Sequence, residues 1–393
     1  MAKFDRGEIE RLTNKVRQNK NRLESIFIFG AGIIGEQLRI LLEEYGCMGG
    51  FVDNSLEKQK QGYKGYKVLS AEEYFKIRNE HILVIAVSSK NIEVLGKQMQ
   101  ELGLIQDVDY FFHDDFVNRI WSIISAALYN KSYVSLAQIT VTERCTLKCK
   151  KCAHACYAVD SKSEDMPLSL VKKSADSFFE KIDYINEFVL IGGEPLLYNR
   201  LAESICYVGE KYRKQMRIFS ITTNGTIVPN VEVLAACKKY NVLVRISNYS
   251  LAVPWIVERH QLLIDVLEEW GIKYSLQKPE REWIDYGFEY VNRNASEQEL
   301  ISVFDQCKTP CREVRGNRLY YCVMARSVSE NLGYNIGLND YLDLDSLSKD
   351  DYKEKIMEFQ LGYSEKGYLD MCNRCHGADA KNYPIAAGEQ LER

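Results

Sequence analysis

Cys145, Cys149 and Cys152 form a Cys-x3-Cys-x2-Cys run, with Cys156 close behind. Three thiolates on one tight loop suit a cube of four irons, and three protein ligands leave the fourth iron open. An open iron can chelate a small molecule, which a cluster held by four cysteines does not readily do. The rival chemistry is structural zinc, with His154 or Cys156 as fourth ligand. A second group, Cys307, Cys311, Cys322, Cys372 and Cys375, offers five thiols where one cube needs four. There the rival is a zinc ribbon. Cys47, Cys206 and Cys237 fall in helix- or strand-like stretches and read as ordinary buried thiols. His81, His113 and His260 stand alone and read as surface or core histidines.

A different pattern lies near the N-terminus. Gly30-x-Gly32-x-x-Gly35 follows the apolar run 25–29, and Asp53 closes the next one. A glycine turn between strand and helix can bring backbone N–H groups to phosphates. An acidic residue about 20 positions on can bind ribose hydroxyls. Gly30, Gly32, Gly35 and Asp53 are therefore candidate nucleotide-binding residues. The competing reading is a turn that keeps its glycines and binds nothing.

These residues need elements to hold them. Over 1–115, strand-like runs at 25–29, near 51–54 and at 82–87 alternate with helical stretches, the pattern of a parallel sheet. Residues 116–134 hold an amphipathic connecting helix, with Phe116, Ile120, Ile123 and Ile124 on one face. From 135 to 299 the alternation resumes, with strands near 135–141, 188–191, 218–222, 242–246 and 272–276. Five or six βα units in a row fit a partial (βα)6 barrel, whose active site lies at the C-terminal strand ends. The first cysteine run stands at such an end. Residues 300–393 break the rhythm and carry the second cysteine group, with Gly316 ahead of Cys322 in an expected hairpin. The fold class is α/β throughout.

Cys145-Thr146-Leu147-Lys148-Cys149-Lys150-Lys151-Cys152 resembles the signature of the radical S-adenosylmethionine (SAM) enzymes. Ile191-Gly192-Gly193-Glu194-Pro195, closing the next strand, resembles the stretch that holds the methionine amino group of the cofactor in that family. Thr222-Thr223-Asn224-Gly225 closes the strand after it, and Ser247 and Asn248 end the fourth strand, where the family places polar contacts to the ribose. The resemblance runs over about 135–280. It implies a SAM-binding [4Fe-4S] cluster on Cys145, Cys149 and Cys152, and SAM contacts from Gly192, Gly193, Glu194, Thr223, Asn224, Ser247 and Asn248. Reductive cleavage of SAM would yield a 5′-deoxyadenosyl radical that takes a hydrogen atom from the substrate. An electron donor such as flavodoxin or ferredoxin is implied. One departure stands out: the family has an aromatic residue just after the second cysteine, where this chain has Lys150.

The last region resembles the twitch or SPASM extension that follows radical SAM barrels and holds an auxiliary cluster. Five cysteines fit one such cluster on four of Cys307, Cys311, Cys322, Cys372 and Cys375; the favoured set is Cys311, Cys322, Cys372 and Cys375. The first region resembles Rossmann-like nucleotide-sugar-binding domains found beside sugar-modifying enzymes.

Composition narrows the field. Of 393 residues, 51 are basic and 55 acidic, for a net charge of −4, so there is no basic excess for nucleic acid. No apolar run reaches a membrane span, and the charged N-terminus does not read as a secretory signal. A cytoplasmic enzyme is expected. Its substrate is expected to be a sugar or nucleotide-linked small molecule, possibly processed for a polysaccharide or glycan. Two competing functions are a maturase of ribosomally made peptides and a non-catalytic, zinc-stabilised nucleotide-binding protein. No catalytic side chain is singled out.

Overall fold

The computed structural model describes residues 6–279, 281–288, 292–307, 309, 311–377 and 384–392. The chain divides into two compact units, Gly7–Lys131 and Ser132–Arg393.

In the first unit, short β-branched and aromatic runs give β1 (Ile26–Phe29), β2 (Met48–Val52), β3 (Val68–Leu69), β4 (Ile82–Ile85) and β5 (Tyr110–Phe112). All are parallel, in the order β3-β2-β1-β4-β5. β1 and β4 are buried at every position, as strands covered on both faces must be. Phe27, Phe29, Leu83 and Ile85 pack with Tyr74, Leu95 and Met99 in one core. The stretch read as a connecting helix is a π-helical turn, Phe116–Ile120, followed by the helix Trp121–Tyr129. It packs within this unit: the Trp121 and Tyr45 rings lie 5.0 Å apart, edge to face.

The second unit is built on one eight-stranded sheet. β6 (Tyr133–Thr142), β7 (Tyr184–Gly192), β8 (Met216–Thr223), β9 (Leu243–Ile246) and β10 (Tyr274–Leu276) follow one another in space, all parallel. A small second sheet pairs β11 (Glu282–Ile284) with the late strand Pro384–Ala386. The long sheet continues past β6 with β12 (Cys311–Arg315), β13 (Arg318–Tyr320) and β14 (Tyr341–Asp343); the strand 384–386 is β15.

The sixth parallel strand differs from expectation. A sixth βα unit would lie beside β10, but β12 pairs in parallel with β6, at the other end of the row. The hairpin expected around Gly316 is present. Gly316 and Asn317 turn β12 back into β13, and Gly316 takes the left-handed φ of +62° that such a turn asks for.

Alternation along these strands separates two faces. Ile139, Phe188, Phe219 and Val244 join the apolar core. Gln138, Glu187, Ser220, Arg245 and Glu313 form the opposite, polar face. There Arg245 donates to both oxygens of Glu187 at 2.5 and 2.7 Å, Ser220 donates to Glu187 at 2.7 Å, and Gln138 donates to Glu313 at 2.8 Å.

Among the described residues, no helix is long and apolar enough to cross a membrane.

Candidate active site at the strand ends

The first cysteine run leaves β6 through a fixed corner. Thr142 Oγ1 donates to Asp165 at 2.6 Å, and the Arg144 guanidinium grips both oxygens of Asp165 at 2.9 and 2.6 Å. A bidentate arginine–carboxylate pair sets position as well as energy. Beyond Cys145 the loop is tied from inside. Lys148 Nζ donates to the carbonyl of Val159 at 2.5 Å, with those of Cys156 and Tyr157 at 3.5 and 3.4 Å.

The glycines of β7 explain why the next strand end comes so close. A Cβ on Gly192 would stand 2.4 Å from the Thr142 carbonyl oxygen, and one on Gly193 2.5 Å from that of Arg144 and 2.7 Å from Cys145 Cβ. Only a bare backbone fits. The approach is sealed by two bonds, Gly193 N to Thr142 O at 3.0 Å and Glu194 N to Arg144 O at 2.8 Å.

Cys145, Cys149, Cys152, Gly192, Gly193, Thr223, Asn224 and Ser247 line one cavity, together with Leu147, His154, Cys156, Tyr249 and Trp283. The structure thus brings together most of the residues singled out for SAM. Glu194 and Asn248 are not among its lining residues. The Glu194 carboxylate is fully buried and committed elsewhere. It accepts from Thr223 Oγ1 at 2.8 and 2.9 Å, from Asn224 N at 2.8 Å and from Leu196 N at 3.1 Å. Burial pushes its pKa up to about 7 against the pull of those donors. It joins the ends of β7 and β8. Asn248 likewise spends its amide on the Gln277 carbonyl at 3.2 Å and its oxygen on Ser250 N at 3.1 Å. Asn224 donates to Thr146 Oγ1 at 3.0 Å and approaches Cys145 Sγ at 3.6 Å. His260, expected to be inert, is buried beneath this turn and bonds the Asn224 carbonyl at 2.9 Å.

The donor set fits a cationic cluster. Burial pushes the Cys145 thiol up to about 12, and the charges of Glu194, Cys149 and Cys152 push the same way. Burial takes Cys149 to about 11. Cys152 is held low, first by the hydrogen bond with Cys156. Three sulfurs that oppose one another's ionisation become favourable together only around positive charge, which iron or zinc supplies. Among the described residues, no three Cys, His, Asp or Glu side chains converge closely enough to hold a single metal ion. The three thiols stand around a shared cavity instead.

Residues 139–251 match the Radical SAM superfamily. This segment is a radical SAM domain, the domain of a radical-based catalyst. The "Probable GTP 3′,8-cyclase" of Methanococcus aeolicus is 31% identical over 102 residues, 26% of this chain and 32% of that protein. The chain therefore spans about a third of the length of this curated relative. Among solved structures, native anSMEcpe with bound AdoMet is 12% identical, with 62% of this chain and 89% of that one covered and a TM-score of 0.38. BtrN in complex with AdoMet and 2-DOIA is 14% identical, with 64% and 98% covered and a TM-score of 0.35.

Around the radical SAM domain, the second cysteine group resolves differently from the favoured set. Cys322, Cys372 and Cys375 are buried, and each thiol is raised first by burial and then by neighbouring cysteines, Cys307 among them in all three. Cys311 does not join them. Its Sγ lies 3.1 Å from Gln138 Oε1 on the polar sheet face, and its charged neighbours are Glu313, Arg312 and Glu187. The reason is strand alternation: Cys311 shares a face of β12 with Glu313. Cys307, Cys322, Cys372 and Cys375 are thus one another's charged neighbours, and Cys311 is not among them.

In the first unit, Gly30, Gly32 and Asp53 line a cavity of about 680 Å³ with Asn54, Lys58 and Ser88. The three glycines have separate reasons. Gly30 has φ +116°, and its Cβ would meet the Ala86 carbonyl oxygen at 2.7 Å. Gly35 would place a Cβ 2.0 Å from the Gly30 carbonyl oxygen, so it serves close packing of turn on helix. Gly32 meets nothing within 4 Å and leaves the backbone open to the cavity. Asp53 is partly engaged: it accepts from Ala31 N, Ser55 N and Lys58 Nζ, each at 2.9 Å. Burial raises its pKa, but these donors outweigh it and hold the carboxylate below its usual range.

Sequence reasoning missed Arg144, Asp165, Lys148 and Gln390. Gln390 Nε2 donates to Cys149 Sγ at 3.1 Å from 241 residues away. No local pattern announces it.

Proposed function

We propose that the chain is a radical SAM enzyme acting on a sugar or nucleotide-linked small molecule. Cys145, Cys149 and Cys152 would hold the SAM-binding [4Fe-4S] cluster, and Cys307, Cys322, Cys372 and Cys375 an auxiliary one. When bound, the first cluster would supply the single electron needed for reductive cleavage of SAM, the chemistry by which a hydrogen atom would be taken from the substrate. The observation that carries the reading is the cavity in which three thiols meet the bare backbone of Gly192 and Gly193.

The chain's own residues do the positioning. Arg144 and Asp165 fix the start of the loop, and Glu194 ties the two strand ends that face it. Gly192 and Gly193 let backbone acceptors reach the cofactor's ammonium, and Thr223, Asn224 and Ser247 offer polar contacts beside it. The polar sheet face carrying Glu187 and Arg245 suits a hydroxylated or charged substrate better than an apolar one.

The nucleotide part of the proposal rests on the first unit, whose parallel order and open Gly32 suit a Rossmann-like site. Its cavity volume falls in the range of small-molecule sites. Lys58 adds a cation for a phosphate. A relative whose name specifies GTP points the same way. A place in polysaccharide or glycan synthesis would follow from a nucleotide-sugar substrate.

Two measurements test this. The intact chain, loaded anaerobically with iron and sulfide and then reduced, should convert SAM to 5′-deoxyadenosine; a fully loaded sample that never does so ends the proposal. A panel of nucleotide-sugars should include members that raise the melting temperature of the intact chain. If none does, the substrate class shifts toward peptides.

A further inference from the structure

Lys150 stands where an aromatic residue was expected, and what lies beside it is a late piece of the chain. Residues 389–391 pair with residues 148–150 as a short antiparallel ladder. Lys150 N donates to Glu389 O at 2.6 Å, and Leu391 N donates to Lys148 O at 2.8 Å. The Lys150 ammonium pairs with the Glu389 carboxylate at 2.6 Å. Between them, Gln390 faces Cys149. Its Oε1 accepts from Lys148 N at 2.8 Å, and its Nε2 donates to Cys149 Sγ at 3.1 Å and to Gly388 O at 2.6 Å.

The segment is held in place from behind. β15 pairs with β11, and Ala387 N donates to Arg281 O at 3.2 Å. Gly388 then turns with φ +73°, where a Cβ would meet Tyr249 Cβ at 2.7 Å. Tyr249 and Trp283, both lining the thiol cavity, stand edge to face at 5.2 Å.

We propose that residues 388–391 form a strap over the cysteine loop, and that Gln390 is a positioning residue that tunes the cluster through Cys149. The inference rests on the cluster assignment made above. A hydrogen bond to a ligating sulfur stabilises the more negative, reduced cluster, because the added electron resides partly on sulfur. An amide donor at Cys149 therefore makes the cluster easier to reduce. The Lys150–Glu389 pair and the two backbone bonds hold that amide in register.

The test uses the intact, anaerobically loaded chain and its variants. Iron content and the response of the cluster's EPR signal to SAM come first. If the unsubstituted chain fails there, the cluster assignment itself is wrong. With that assignment secure, Gln390→Ala and Gln390→Glu should lower the ratio of reduced to oxidised cluster at a fixed applied potential by about tenfold, equivalent to about 59 mV for one electron. Glu389→Ala, which removes the ion pair but keeps the amide, should move the ratio far less. A ratio within twofold of the unsubstituted chain in both Gln390 variants overturns the proposal. So does a Glu389→Ala shift as large as theirs. Should the variants not load iron, Cys149 in the cluster-free chain should alkylate several-fold more slowly in Gln390→Ala than in the unsubstituted chain, because the lost amide donor no longer stabilises the thiolate. An unchanged rate again overturns the proposal.

Discussion

Cys145, Cys149 and Cys152 leave the chain on one loop, whereas Cys307, Cys322, Cys372 and Cys375 come from separate places. Cys307 ends the helix Glu297–Gln306, Cys322 precedes the helix Val323–Leu332, and Cys372 and Cys375 flank the end of a 3-10 turn. The first group borders a cavity open to a second molecule. The second draws its thiols largely from the interior, against Tyr286 and Tyr321, whose hydroxyls are raised first by burial and further by these cysteines. A loop that ends on solvent-accessible space suits an iron with an open position; three buried thiols and the half-buried Cys307 suit a cluster ligated on all corners.

The sharpest way to break this comparison is to remove one sulfur from each group. Cys149→Ser should abolish 5′-deoxyadenosine formation, by more than the roughly 10–100-fold that losing an outer-shell partner costs. Retained turnover would deny the first group its role. Iron analysis then separates the groups. Cys322→Ala or Cys372→Ala should lower the content from about eight to about four irons per chain, while Cys311→Ala should leave it unchanged. Loss of iron from the Cys311 variant would restore the set favoured from sequence.

A third experiment probes what joins the two regions. Arg326 is fully buried; its guanidinium meets Glu143, just before the first cysteine loop, and Glu313 on β12 at 2.8 Å. Arg326→Met would strand buried carboxylates, and a loss of about 3–5 kcal/mol is expected in urea unfolding. A change under about 1 kcal/mol would mean the regions are held together by packing alone.

The smallest effect concerns Glu194. Its folded pKa of about 7 lies above the ordinary 4.5, so the folded state holds the extra proton between those values. Stability from this group is fully present below pH 4.5 and declines as pH rises toward 7. In the cluster-free chain, Glu194→Gln should therefore lose less stability than the parent between pH 5 and 7.5. An identical slope in both would show that the carboxylate ionises freely.

Legibility in the sequence followed locality. β1, the glycine turn and Asp53 could be read because strand, turn and helix are contiguous. The cysteine run could be read because β6 delivers it directly. β12 could not be placed, since pairing with β6 rather than β10 depends on contacts across 173 residues, as between Gln138 and Cys311. The exclusion of Cys311 from the second group was hidden for the same reason: which face of a strand a cysteine takes is fixed by register. Glu194 was assigned a SAM contact because Gly192-Gly193-Glu194 resembles the family's stretch that holds the cofactor's amino group. Only the fold reveals that its carboxylate points to Thr223.

The pairing of β12 with β6 also bears on how the chain is made. β6 carries the cysteine loop, yet one of its two edges waits for a strand translated much later. At about 5–20 residues per second, that interval is on the order of 10–35 s. Throughout it, an apolar strand with an open edge is available to wrong partners. Correct synthesis of this protein is therefore a race between the ribosome reaching β12 and the nascent chain finding another strand, and iron delivered before β12 arrives would meet a loop whose supporting strand is still half unpaired.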